Sequence, residues 1–74
     1  MILMEVKKLL KGTVKKWLID RGYGFIGPDG GGEDIFVHQS DIEEADELAE
    51  GQKVEFEVKT TNRGPRAVNV KLIE

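Results

Sequence analysis

The sequence predicts an all-β fold, a five-stranded antiparallel Greek-key barrel, and three observations lead there. Short runs alternate apolar and polar residues with a period of two, the spacing of a strand with one buried face. Turn residues separate those runs, and one longer connection follows the third. The chain has 74 residues, a size at which a single core barely offsets chain entropy, so a sheet that closes on itself is favoured over one with open edges.

The first strand is centred on Val14, within residues 13–17, with order expected from about Leu10 onward. A turn around residues 20–22 leads into the second, residues 23–27, and Pro28-Asp29-Gly30-Gly31-Gly32 reverses the chain into the third, residues 35–38. Val54, Phe56 and Val58 alternate with Glu55, Glu57 and Lys59 in the fourth. Asn62-Arg63-Gly64-Pro65 turns the chain into a fifth strand that buries Ala67 or Val68, then Val70 and Leu72. In the long connection, Ser40 or Asp41 suits the N-cap of at most one or two helical turns, with acids in the first turn and Gly51 as a stop. Residues 1–10 form an N-terminal extension to a domain covering 11–74. Ile2, Leu3, Val6, Leu9 and Leu10 fit a short amphipathic helix or an extended lead-in, and the segment is too short and too charged to span a bilayer.

Several chemistries are disfavoured. The absence of cysteine excludes disulfides and thiolate zinc sites, and a reducing, cytoplasmic setting is expected. His38 is the one histidine, and the acids between Asp41 and Glu50 lack the glycine-centred pattern of a calcium loop, so neither a metal nor a small-molecule cofactor is expected. Ser40 and the threonines sit in no nucleophile motif, which argues against an enzyme. Gly22, Gly24 and Gly27 satisfy G-x-G-x-x-G, but that fingerprint cradles a pyrophosphate only where a helix begins at the glycines, and here Pro28 and three further glycines follow.

What the strands display is more informative. Alternation sends Ile26, Ile35 and Val37 to the core face, which leaves Tyr23, Phe25, Phe36 and His38 facing out. Burying the rings instead would turn the aliphatic set to water, a worse partition of apolar surface. Flat π-faces held in the open suit stacking by unpaired nucleobases, and Gly22 and Gly24 are expected to leave the neighbouring rings unobstructed. Trp17 beside Lys15 and Lys16 joins a ring to cations, a combination that suits bases and phosphates together. Arg21 and Arg63 occupy turns from which they can rim the same face. The formal net charge of -3 opposes nucleic-acid binding only as a sum: residues 7–21 hold six bases against Asp20, and residues 41–50 hold six acids and no base.

Gly12-Thr13-Val14-Lys15, Arg21-Gly22-Tyr23-Gly24-Phe25-Ile26, Asp34-Ile35-Phe36-Val37-His38, Gly51-Gln52-Lys53-Val54-Glu55-Phe56 and the stretch from Asn62 to Val70 match, in order and spacing, the cold-shock domain. Over residues 11–72 the chain resembles that family. The resemblance implies an OB-type barrel that binds single-stranded RNA or DNA with little sequence preference, as an RNA chaperone or transcription antiterminator. It implies contacts from Lys15, Trp17, Tyr23, Phe25, Phe36 and His38, a phosphate partner in Arg21, and further contacts from Lys16, Gln39 and Arg63. A monomer with no membrane partner is expected. The chain departs from the family at Lys16, which takes a tryptophan's place in ungapped alignment, at Gln39, which follows the histidine where many members carry an aromatic, and in its short acidic loop. A bulge or a one-residue shift would instead return Trp17 to the tryptophan's place. The competing reading is a small β-barrel protein-interaction module docking a basic partner through that acidic loop.

Overall fold

The structure, a computed structural model, describes residues 9–73. Its strands are β1 (Leu10–Leu18), β2 (Tyr23–Pro28), β3 (Ile35–His38), β4 (Lys53–Thr61) and β5 (Gly64–Leu72). They close into a barrel in the order β1-β2-β3-β5-β4. Neighbours pair antiparallel except at the seam between β3 and β5, where Phe36 and Val37 run parallel to Arg66 and Ala67. The long connection after β3 carries the chain across the barrel, so β4 lies against β1 and the Greek-key expectation is met. The expectations for residues 1–8 lie outside the described residues. Among those described, no helix is long and apolar enough to cross a membrane.

The interior is aliphatic around a single ring. Val14, Ile26, Val37, Val54, Ala67, Val70 and Phe56 are sealed from solvent, and Ile35 is buried beside them. Ile42 and Leu48, both from the β3–β4 connection, add two more buried side chains. No charged side chain is buried among the described residues, so the core needs no internal ion pair.

Two irregularities set which side chains point inward. In β1, Val14 pairs with Ile26 but Lys16 pairs with Phe25, so Lys15 is an extra residue on its strand. Strict alternation from Val14 would send Lys16 into the core and Trp17 outward. The bulge reverses that phase: Lys15 and Lys16 are both exposed and Trp17 packs against the core. Burying an unpaired ammonium costs several kcal/mol, so the chain gives up one rung of the ladder instead. In β5 the shift occurs between Val68 and Lys71, where Asn69 adopts a left-handed conformation with φ 51°. This resolves the alternative left open in the sequence. Ala67 and Val70 are buried, while Val68 is half-buried and Leu72 is exposed.

The helical turns expected near Ser40 reduce to one 3-10 turn, Gln39–Asp41, and its cap is His38 rather than Ser40 or Asp41. Backbone pairing accounts for the early stop. Ile42 bridges to Val70 on β5, and the Glu43 amide donates to the Val70 carbonyl at 2.8 Å, so a donor that a continuing helix would use is committed to the sheet.

The glycines in and just before β2 also work differently from expectation. Instead of leaving open space beside the rings, each absent side chain is replaced by another residue's. Gln39 covers Gly22, Trp17 covers Gly24 and the Lys15 stem crosses Gly27. The constraint is tightest at Gly24, where a Cβ would fall 2.2 Å from the Lys16 carbonyl oxygen and 2.7 Å from Trp17 Cε3. Gly24→Ala therefore has to spread the β1–β2 pair and is expected to cost about 1–3 kcal/mol or more. Gly30→Ala meets nothing within 4 Å and should stay within about 0.5 kcal/mol of the parent. Paired thermal melts check this, and equal stabilities would show that the two strands do not approach so closely at Gly24.

Candidate nucleic-acid interface

Cross-strand partners share a face, so the registers define rows around the outside of the barrel. One row crosses every strand: Lys16 on β1, Phe25 on β2, Phe36 on β3, Arg66 on β5 and Lys59 on β4. Two rings thus lie at its centre with cations at both ends. The adjacent row sets Leu18, Tyr23 and His38 side by side.

Tyr23, Phe25 and Phe36 form a mutually supporting cluster. Phe25 meets Tyr23 and Phe36 nearly edge to face, at centroid separations of 6.2 and 6.1 Å, and Tyr23 and Phe36 are tilted by 39° at 5.4 Å. Such contacts hold each ring in one orientation while leaving part of it accessible. All three, and His38, are half-buried, as the alternation argument requires of side chains standing on the outer face. A groove of about 440 Å³ runs alongside, bounded by Phe25, Phe36, His38, Arg63, Pro65 and Arg66.

His38 is oriented by its neighbour. Its Nδ1 accepts the Ser40 amide at 3.1 Å and lies 2.9 Å from Ser40 Oγ. A backbone N–H can only donate, so Nδ1 carries the lone pair and the neutral ring bears its proton on Nε2. The imidazole therefore offers its ligand a donor at Nε2, with its tautomer set by the turn that it caps.

The remaining residues singled out in the sequence divide into two groups. Lys16 shares the row of Phe25, Lys15 is exposed with its stem over Gly27, and Arg63 lines the groove. Gln39 is exposed with its side chain over Gly22, and its backbone N–H donates to the Gly22 carbonyl at 2.9 Å. Arg21 stands apart in the β1–β2 turn, beside a separate shallow depression formed with Trp17 and Leu18. Trp17 does not join the outward rings. Its cross-strand partner is Gly24, on the inner face with Val37, and its indole Nε1 is buried with no hydrogen-bond partner. The Lys15 bulge does not return this ring to the platform; it takes it away.

Two members of the row, Arg66 and Lys59, were not singled out from the sequence. Their place depends on the parallel β3–β5 seam and on the register of β5 against β4, neither of which has a local signal. Arg66 also makes the shortest ion pair described: its Nε donates to Asp41 Oδ2 at 2.7 Å, and its Nη2 lies 2.7 Å from the same oxygen.

The 'Cold-shock' DNA-binding domain family matches residues 10–73 of the chain. Among curated proteins, the chain is 56% identical over 63 residues to "Glycine-rich protein 2" of Nicotiana sylvestris, an alignment covering 81% of this chain and 29% of that protein. It is 45% identical over 65 residues to "Probable cold shock protein A" of Mycolicibacterium smegmatis, covering 85% of this chain and 97% of that one. It is 48% identical over 66 residues to "Cold shock-like protein CspC" of Shigella flexneri, covering 86% and 96%. The chain thus spans less than a third of the plant relative and nearly all of the bacterial ones. Among solved structures, "drosophila Unr CSD456" superposes with a TM-score of 0.78 at 22% identity, over 92% of this chain and 28% of that one, a likeness of fold.

The His38 geometry can be checked directly. Nitrogen NMR of the imidazole at neutral pH should show a protonated Nε2 and an unprotonated Nδ1, and Ser40→Pro, which removes the amide donor, should release that preference. A dominant Nδ1–H form in the parent would contradict the capped arrangement.

Proposed function

Because this chain belongs to the cold-shock domain family, we propose that it binds single-stranded RNA or DNA across the β1–β2–β3 face, with little sequence preference, and keeps such strands unpaired. The observation that carries this reading is the outer row in which Phe25 and Phe36 lie between cations, with Tyr23 and His38 beside them. Every base has a π-face, so rings that stack accept many sequences, at roughly 1–3 kcal/mol per stacked base. Phe25, Phe36, Tyr23 and His38 are the stacking surfaces of the proposal. His38 adds a hydrogen bond from Nε2 to an acceptor on the base or backbone. Lys15 and Lys16 at the β1 side of the rings and Arg63 in the groove neutralise phosphates, Arg21 reaches the strand at the turn, and Gln39 contributes a polar contact at the edge. Trp17 supports the face from beneath through Gly24 instead of stacking.

The function requires no bond chemistry. A strand spread over the rings cannot form a hairpin, so occupancy alone disfavours secondary structure in a transcript. That is the action of an RNA chaperone, and on a nascent transcript of an antiterminator. A single barrel carries the whole face, so the protein acts as a monomer, and RNA as a ligand goes with a cytoplasmic setting.

Phe25→Ala and Phe36→Ala should each weaken binding of a short pyrimidine-rich single strand by about 5- to 150-fold, the equivalent of one lost stacking contact. Circular dichroism should show both variants folded. Titrations at several salt concentrations should give a log–log slope of about -0.7 for each phosphate neutralised. Unchanged affinity in both variants, or binding indifferent to salt, would refute the proposal.

A further inference from the structure

We propose that Arg66, held by Asp41, extends the platform onto β5 as a planar surface on which a further base stacks, so that the ion pair serves to orient a guanidinium rather than to supply charge. This inference rests on the reading of the ring face as a single-strand site and adds a position to it.

Placement comes first. Arg66 is the cross-strand neighbour of Phe36 and borders the same groove as Phe25, Phe36 and Arg63. Adjacent strands are separated by about 4.8 Å, so Phe25, Phe36 and Arg66 place three flat groups on consecutive strands along one row. Guanidinium planes stack on nucleobases much as aromatic rings do, and they are weakly hydrated compared with an ammonium.

Restraint is the second observation. Nε and Nη2 both contact Asp41 Oδ2 at 2.7 Å, so one edge of the guanidinium is tied to that oxygen and the swing of the side chain is restricted. Asp41 is itself held. It ends the 3-10 turn capped by His38, and the next residue, Ile42, is buried and bridged to Val70. A long side chain anchored in this way has little rotamer freedom left to lose when a ligand arrives.

Charge is the third. Side chains 37% and 21% exposed, in direct contact, present a nearly neutral pair to a distant phosphate. Arg66 is therefore a poor contributor to counterion release, unlike Lys16 or Arg63. An ion pair this exposed also adds little to stability, so its loss should leave the fold standing.

The test compares the parent protein, Arg66→Ala, Arg66→Lys, Asp41→Ala and Phe36→Ala in titrations with pyrimidine-rich single strands of about three and about eight nucleotides. Arg66→Ala and Arg66→Lys should both weaken binding of the longer strand about fivefold or more, and leave the shorter strand and the salt slope unchanged. Asp41→Ala should also weaken the longer strand, although deleting an acid beside a phosphate ligand would otherwise strengthen binding. Parent-like binding by Arg66→Lys overturns the proposal, as does tighter binding by Asp41→Ala, which would make Asp41 a competitor that withholds Arg66 from phosphate. Melting curves accompany each variant, and if Asp41→Ala fails to fold, the two Arg66 variants decide. Loss of binding in Phe36→Ala with none in the Arg66 variants refutes this inference alone, whereas no loss in any variant refutes the platform itself.

Discussion

The fully buried interior of the barrel holds branched aliphatic side chains and one ring, with Trp17 packed against its edge, and the arrangement of the surface follows from how that space is filled. Phe56 is the aromatic that fits, enclosed by Val14, Ile26, Val37, Val54 and Val70. Adding Tyr23, Phe25 or Phe36 to that space would overpack it, and a well-packed core resists even one extra methylene. The three rings are therefore held on the outside by what already fills the inside. On the surface they gain back part of the lost burial by packing edge to face against one another. The display of rings is thus a by-product of core stability.

This division was legible in the sequence where strands are regular. Ile26, Ile35 and Val37 alternate with Phe25, Phe36 and His38 without interruption, and both faces of β2 and β3 follow from period two alone. Legibility failed where the ladder slips. The Lys15 bulge turns Trp17 inward, and the Asn69 bulge decides between Ala67 and Val68, because one extra residue inverts every assignment beyond it. The β1 bulge, one of the alternatives that the sequence raises, has a local cause that also fixes its direction: two lysines precede a tryptophan, and unbroken alternation would bury an ammonium. The β5 bulge has no comparable cue in Val68-Asn69-Val70 beyond the tolerance of asparagine for a left-handed backbone. The shortness of the 3-10 turn has a different cause, since its length is set by pairing with the distant Val70 and not by its own residues.

The charge pattern becomes intelligible once the rows are known. A net charge of -3 describes no particular surface. Around the barrel, Lys16 and Lys59 flank the row of rings with charge left unpaired among the described residues, whereas most of the acids between Asp41 and Glu50 lie on the connection that Ile42 and Leu48 fasten over the core. Asp41 is the exception, drawn into contact with the ring face by Arg66. A phosphate backbone responds to local potential within about a Debye length of 10 Å at 0.1 M salt, so segregation of this kind matters more than the sum.

Rigidity and weak selectivity are linked in such a site. The rings hold one another, Ser40 fixes His38, Asp41 fixes Arg66, and neighbouring side chains fill the spaces over Gly22, Gly24 and Gly27. Little ordering remains to be done when a strand arrives, so stacking energy passes into affinity with a small entropic loss. The surfaces that carry it are nonetheless mostly π-faces, which distinguish poorly among bases, and the one fixed donor, His38 Nε2, can meet an acceptor on any base or on the backbone. Preorganisation here raises affinity without sharpening sequence choice. A protein that keeps transcripts open needs that combination, because it must engage whatever sequence is exposed and cannot depend on a cognate site.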